Sequence, residues 1–521
     1  MRKPVRFIVA AALFALAVIP LALASGSQDT SAAATSSVPI KVLFSHAGSV
    51  YAAKETDWAN NVYAKAINKI TGYNIIWEFG PHVEYAQFIS VRFASGDLPD
   101  VIRSSWGVDA TQGHPGAVDQ GVFTEMGPLV DKYGPDIKKN IPEELWSSPL
   151  VSKNGKIWGI PVLAPYAATR VVYVRRDWLD RAGMKTPVTV DDFLKYFEWV
   201  KVADANGNGD PNDEYGFYVR ENMAYSEIFF KCFGVYPTTW QYVNGQFQPE
   251  MILPQMKEAI RFWKMLYDKQ YVNPNMFTNK AADWTAGIYN DKAGMWQHDV
   301  GNYEVSWVNL MLNKEAKLDM IAAPVGPVDK TLVPRGNRFY FVMVFPTKSK
   351  VQAEAVKWVN TCWSSPEAET FFLWGIKDYN YTVDASGKIK WDINAPNNAT
   401  DGQWTTFRIL VNPTVYHYDT PKLLANRSNA KVYLDAIQVA QNNSFKNPGI
   451  DMPSIEVFKT APELTPGFGV GSLFLDMFAK VVTGKEELDP AFNAFVAEWR
   501  KRGGDAAIKQ ATEWYNKTQK K

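Results

Sequence analysis

The chain has 521 residues, with 55 Lys and Arg against 54 Asp and Glu for a net charge of +1, and 46% of it is hydrophobic. That length and apolar content support large cores and exclude global disorder, while the even charge balance excludes a strongly basic nucleic-acid binder. Two cysteines exclude a disulfide framework and a cysteine-based zinc site.

The N-terminus reads as an export signal over 1–24. Arg2, Lys3 and Arg6 form a basic start, an apolar run follows from Phe7 to Leu23, and Ala22-Leu23-Ala24 fits the small-x-small cleavage rule. No Cys stands near the cleavage point, so the sequence offers no lipid anchor and points to a periplasmic or extracellular protein. Removing the signal removes three basic residues and tips the balance slightly acidic. Residues 25–37 are rich in Ser, Ala and Thr and read as a flexible tether. No later segment is long and apolar enough to span a membrane.

Structure is expected to begin with a short strand at Ile40–Phe44. A helix over Trp58–Ile70 follows, with Trp58, Val62, Ala66 and Ile70 on one face. Gly72 caps it, Tyr73–Phe79 reads as the next strand, Glu84–Ala94 as a second helix, and Asp100–Ile102 as a short buried strand. This alternation is the pattern of a parallel α/β sheet. It continues to a terminal helix over Pro490–Arg500, which puts Phe492, Phe495, Val496 and Trp499 on one face.

Several segments share a second property. Phe93-Ala94-Ser95-Gly96-Asp97-Leu98-Pro99-Asp100-Val101 closely resembles a recurrent motif of extracellular solute-binding proteins of family 1, the sugar-binding receptors of ABC importers. Further resemblances follow in order: Asp119–Phe123 with Pro128-Leu129, Asn154–Pro161, Val174–Leu179 with Gly183 and Pro187, Gly294–Trp296, Trp374–Ile376, and Phe495–Trp499 with Gly503-Gly504. Each is weak alone; their order over nearly the whole chain is specific. Within that family the long chain most resembles the oligosaccharide-binding branch that includes alginate-binding receptors. The resemblance implies a type II-like periplasmic-binding-protein fold: two α/β lobes joined by a hinge around an interlobe cleft. It implies an N-terminal lobe from 38–163 and 330–412 and a C-terminal lobe from 164–329 and 413–521. The implied partners are a carbohydrate ligand and the transmembrane permease subunits of an ABC importer, with no nucleic acid, and the carrier is expected to be a monomer.

Asp204-Ala205-Asn206-Gly207-Asn208-Gly209-Asp210 matches the first half of a calcium loop, since oxygen ligands alternate on a stretch that glycine lets curl. The usual closing carboxylate is missing, because Tyr215 stands there, so Asp213 or Glu214 would have to close the site. Related alginate-binding receptors carry a similar loop that closes one residue sooner. An ordinary Asn/Gly/Asp surface turn is the competing reading. If a cation binds, its role is structural, because no His or nucleophile lies nearby in sequence.

Sugar rings present C–H faces that stack on aromatic side chains, and hydroxyls that need planar polar partners. Among 19 Trp, 24 Tyr and 29 Phe, the informative rings are those beside polar residues in turn-like segments. Trp296 and His298 lie together in Gly294-Met295-Trp296-Gln297-His298-Asp299, and Trp106 follows the strand end at Ile102, where open α/β sheets bind ligands. Trp240, Trp404, Tyr166 and Tyr303 are candidates of the same kind, and Arg335 and Arg338 could face an acidic sugar. Trp178, Trp199, Trp263, Trp358 and Trp499 lie at helical spacing among apolar neighbours and read as core. Cys232 and Cys362 read as two buried thiols. The rival class is a secreted carbohydrate-active enzyme, a glycosidase or lyase; the sequence carries no Gly-x-Ser-x-Gly, His-Glu-x-x-His or phosphate loop to support catalysis.

Overall fold

A computed structural model describes residues 38–46, 49–81, 84–104, 107–108, 113–163, 166–328, 333–335, 339–392, 395–398, 407 and 430–518. Nine strands build two central sheets: β1 (Pro39–Ser45), β2 (Asn74–Gly80), β3 (Val101–Ser104), β4 (Gly159–Leu163), β5 (Arg170–Arg175), β6 (Tyr215–Phe217), β7 (Ala293–Asp299), β8 (Leu318–Ile321) and β9 (Phe339–Val344). The first sheet runs β2-β1-β3-β9-β4 and the second β8-β5-β7-β6.

The first strands and helices form where the alternation predicts them. β1 pairs in parallel with β2 and with β3, and a right-handed helical crossover is the compact way to link such neighbours. The helix before β2 is shorter than its hydrophobic spacing suggests. It spans Val62–Thr71, because the Asn61 side chain accepts the backbone N–H of Tyr63 and Ala64 and so fixes the first turn. Trp58 therefore sits in a turn. Gly72 closes the helix at φ 73°, a left-handed conformation that glycine adopts without a Cβ clash.

The first sheet is not wholly parallel. β9 runs antiparallel to both β3 and β4. Phe339 at the start of β9 lies beside Leu163 at the end of β4. The chain thus leaves the first sheet and re-enters it at the same end, which forces those two strands to oppose. In the second sheet, β5 pairs antiparallel with β7 and β8, and β7 pairs in parallel with β6.

Each sheet has its own core. One apolar cluster draws on residues from Ile40 to Leu163, on Phe341 to Trp374 and on Phe407. Two others surround the second sheet, drawing on Val171 to Ala323 and on a C-terminal set from Tyr433 to Ala511. Trp178, Trp263, Trp358 and Trp499 are among the largest fully buried side chains, each contributing on the order of 2–3 kcal/mol of transfer free energy. Trp199 is only half-buried, at the edge of its cluster. Neither Cys232 nor Cys362 is in a disulfide and both are buried, and burial pushes the Cys362 thiol up. Among the described residues no helix is long and apolar enough to cross a membrane. The expected signal and tether, residues 1–37, lie outside the described residues.

Candidate functional site

β5 and β7 are the centre of the second sheet, and their register sets the site. Arg170, the first residue of β5, lies opposite Asp299, the last residue of β7. The chain reaches Arg170 soon after leaving the first sheet at Leu163, so this end of the second sheet lies by the crossing segments. A cavity of about 370 Å³ opens here, lined by Arg170, Glu227, Tyr236, Thr238 and Asp299 with the backbone near Pro334. Most of its lining is polar, with Ala167, Ala168, Val333 and Pro334 as the apolar part, and its size suits a small polar ligand.

The polar groups are partly organised. Thr169 Oγ1 donates to Asp299 Oδ1 at 2.8 Å, and the Tyr173 hydroxyl donates to the Asp299 carbonyl at 2.8 Å. Arg170 Nη1 stands 3.6 Å from Glu227 Oε2, too far for a hydrogen bond. Burial pushes the Glu227 carboxyl above its ordinary range, against the pull of Arg170. The Arg170 guanidinium lies 4.7 Å from the centre of the Tyr225 ring, which stacks on His298 at 4.2 Å. Burial drives His298 down to about 4, with Asp299 opposing and Arg170 and Arg220 reinforcing the shift, so the imidazole is neutral at pH 7. Asn222, Met223 and Tyr225 all have φ between 53° and 56°. Three left-handed residues other than glycine in so short a loop cost on the order of 1 kcal/mol each and persist only where surroundings hold them. Here they hold Tyr225 against Arg170 and His298.

The residues singled out from sequence fall into three groups. Trp106, Trp404 and Arg338 lie outside the described residues. Trp296, Tyr166 and Tyr303 come together, but in the core behind the second sheet. The expectation that Trp296 stands in a loop is corrected: it is a residue of β7, fully buried, stacked on Tyr173 at 5.5 Å and met edge-on by Trp307. No indole face is open to solvent. Trp240 is likewise in a strand, Trp240–Val243, and buried against Phe247. Both segments look turn-like because their polar residues interrupt an apolar run, yet sheet pairing turns those residues to alternate sides. His298 does reach the neighbourhood of the cavity, behind Tyr225. Asp299 borders the cavity directly, from the segment that drew attention for its clustered polar types. Arg170, Tyr225, Glu227 and Tyr236 carried no sequence signal, because their neighbourhood is made by strand register.

The first sheet contributes a different feature. Arg103 in β3 is 6% exposed, and its guanidinium lies 4.9 Å from the Tyr340 ring centre and 4.8 Å from that of Phe341. Its Nε and Nη1 are buried without a hydrogen-bond partner, so aromatic faces stand where a carboxylate would be expected.

The loop 204–214 is wound tightly on its own side chains. Asp204 Oδ1 accepts the N–H of Asn208 at 3.1 Å and Oδ2 that of Gly209 at 3.0 Å. Asn208 Oδ1 accepts from Asp210 N at 2.7 Å, and Asp210 Oδ1 from Asn212 N at 3.0 Å. The amides of Asn206 and Asn208 both turn to the Asp213 carboxylate. Glu214 Oε1 accepts from Asn206 N at 2.8 Å, whereas Oε2 is buried with no partner, and burial raises this carboxyl. Among the described residues no three His, Cys, Asp or Glu gather as a metal centre. The fit for a cation is therefore a mixed set of carboxylate and amide oxygens, the hard-donor set that calcium takes, and the orphaned Glu214 oxygen is consistent with it.

With this geometry in hand, the chain can be set beside known proteins. The sequence pattern of the bacterial extracellular solute-binding protein family matches residues 52–369, and the chain belongs to that family. Its members bind solutes and are not enzymes. The chain is 24% identical to Lipoprotein LipO of Bacillus subtilis (strain 168) over 96% of its own length and 97% of that protein's. It is 28% identical to the polygalacturonan/rhamnogalacturonan-binding protein YtcQ of the same organism, over 56% of this chain and 57% of the other. In three dimensions it resembles the S. pneumoniae ABC-transporter substrate-binding protein FusA, an EF-hand mutant in complex with fructo-nystose. The TM-score is 0.71 at 19% identity, over 92% of this chain and 99% of that one. It also resembles the alginate-binding protein AlgQ2 without calcium ion, with a TM-score of 0.70 at 16% identity, over 93% and 99% of the two chains. These likenesses establish the two-lobed α/β fold of periplasmic solute receptors.

Proposed function

We propose that this member of the bacterial extracellular solute-binding family captures a carbohydrate, an oligosaccharide, and delivers it to the permease of an ABC importer. The observation that carries the reading is the cavity at the Arg170–Asp299 end of the second sheet, where a guanidinium, two carboxylates and hydroxyls gather on a mostly polar wall beside the segments that cross between sheets. Those are the groups that hold sugar hydroxyls in place. The names of relatives support the class: YtcQ binds polygalacturonan, and FusA was seen with fructo-nystose.

The lobes are assigned to 38–163 with 330–412 and to 164–329 with 413–521. The separate apolar clusters of the two sheets support that division. Closure about the crossing segments buries the ligand, and the ligand's higher affinity for the closed form shifts the population toward it. The closed monomer then docks on the permease. The chain acts outside the cytoplasm after export. Isothermal titration with nystose, raffinose and trigalacturonate tests the reading: binding of at least one supports it, and heat from none of them with measurable cleavage of any overturns it.

The loop 204–214 is assigned to calcium, with Asp204, Asn206, Asn208, Asp210, Asp213 and Glu214 as its ligand set. A bound cation would neutralise the loop's carboxylates and tie Glu214 to the turn, a structural role. The wild type should melt at a higher temperature in calcium than in chelator, and Asp204→Ala should lose that difference. A wild type indifferent to chelator removes the assignment.

A further inference from the structure

The first sheet carries a local irregularity at the start of β9. Phe339 pairs with Leu163 and Phe341 with Val162, so β9 takes two residues where β4 takes one, and Tyr340 is the extra residue of a β-bulge. Ordinary alternation would turn Tyr340 and Phe341 to opposite faces of the sheet. Arg103 stands opposite Met343 in the neighbouring strand and so shares the face of Met343 and Phe341. Its guanidinium nevertheless meets both rings, at 4.9 Å from the centre of Tyr340 and 4.8 Å from that of Phe341, and the two rings lie edge to face with centres 5.5 Å apart. The bulge has re-aimed Tyr340 onto the cation.

The place matters. Val342 lies opposite Ser104, the last residue of β3, so Phe339, Tyr340 and Phe341 run on past the carboxyl end of β3, which is also the end of its parallel neighbour β1. That rim is where open α/β sheets bind ligands. The two rings differ there. Phe341 is buried and packs on Phe44, whereas Tyr340 stays partly exposed. The cation is unusual too, since Nε and Nη1 of Arg103 are buried with no hydrogen-bond partner. A fold that needed only packing at this point would use an aliphatic side chain, which carries no such desolvation cost.

We propose that Tyr340 is a stacking platform for a sugar ring on the first sheet, and that Arg103 is the positioning residue that holds it. The inference rests on the carbohydrate reading above and deepens it, by naming a ligand contact on the other sheet from the Arg170 cavity. A sugar lays its C–H face on a flat ring, and it binds more tightly when that ring is already in place, because ordering a side chain on binding costs affinity. A hydrophobic socket would fix the ring by burying it. A guanidinium fixes it through the quadrupole of the ring and leaves part of its surface in reach of a ligand.

The experiment is isothermal titration of the full chain with nystose, raffinose and trigalacturonate, following each probe that binds the wild type. Tyr340→Leu keeps the apolar bulk and removes the flat ring, and should weaken binding by about tenfold or more. Tyr340→Phe keeps the ring and should stay within about threefold of the wild type. Arg103→Met should weaken binding by about threefold or more by itself, yet by less than about twofold when added to Tyr340→Leu, the signature of a residue that acts through the ring. Thermal melting controls for folding, with Tyr340→Ala as the replacement if Tyr340→Leu melts much lower. Arg103→Met should melt no lower than the wild type, because it removes a cation whose Nε and Nη1 are buried without partners. A folded Tyr340→Leu that binds like the wild type, a Tyr340→Phe as weak as Tyr340→Leu, or an Arg103→Met loss undiminished beside Tyr340→Leu overturns the inference and leaves the carbohydrate reading intact. A wild type that binds none of the probes overturns both.

Discussion

Strand β5 begins and ends with arginine, and the two ends behave differently. Arg175 is fully buried and complete: it makes two hydrogen bonds to the Asp177 carboxylate, at 2.9 and 2.7 Å, a third to Asp291 at 2.5 Å, and lies 4.4 Å from the Trp178 ring centre. Arg170 has a stretched partner, a strained aromatic neighbour and an open cavity. The contrast separates scaffold from site. A buried cation whose three nitrogens each donate to a carboxylate is holding the fold, and one with only a stretched ion pair beside a cavity is positioned for something else. It also explains the Arg175-Arg176-Asp177-Trp178 segment, whose family resemblance reflects a structural lock at the far end of the strand from the cavity.

Removing the finished arginine should give the largest effect. Arg175→Met leaves Asp177 and Asp291 without their partner and should cost on the order of 3–5 kcal/mol of stability, read as a lower midpoint in urea. A loss under about 1 kcal/mol would erase the distinction between the two ends.

His298 offers a smaller and sharper test. Its folded-state value, about 4, lies below the unfolded one, so as pH falls the unfolded chain takes up the proton first. The stability it contributes is whole above about pH 6.5 and is lost progressively toward pH 4. Between pH 7 and 5 the wild type should lose about 2 kcal/mol more than His298→Gln. Glu227, raised by burial, acts in the opposite sense as pH falls, which is why the difference between the two proteins is the quantity to follow. Parallel pH curves would show that His298 is not buried as described.

Arg170→Gln should have the smallest effect on stability, within about 1 kcal/mol, because its ion pair is long and part of the side chain reaches solvent. The same change should weaken sugar binding by about tenfold. Equal losses of stability at Arg170 and Arg175 would make both ends scaffold.

Much of the fold was legible in the sequence because its cues are local. The Ile40–Phe44 run becomes β1, the Gly96 turn ends its helix, and the helix expected over Pro490–Arg500 forms over Leu488–Trp499, although it is not the terminal one, since a further helix spans Asp505–Thr518. The N-cap at Asn61 was also local, and reading the hydrophobic period past it misplaced Trp58. The site was less legible. Trp296 and Asp299 are close in sequence and share a strand, yet one fills the core and the other borders the cavity. Sequence alone cannot assign them, because the choice depends on which strands flank β7 and which face each side of it meets.

Periodicity and caps were enough to determine an α/β chain with large cores and a tightly wound acidic loop, since those features follow from residues a few positions apart, and the resemblance of its ordered motifs to a known family pointed to a receptor. Tertiary structure decided the rest. Arg170, Glu227 and Asp299 are distant in sequence and meet only through strand register, and the antiparallel entry of β9 follows from where the chain crosses back. Local pattern dictates what each segment becomes; the charge balance of a cavity is a sum over segments that only packing brings together.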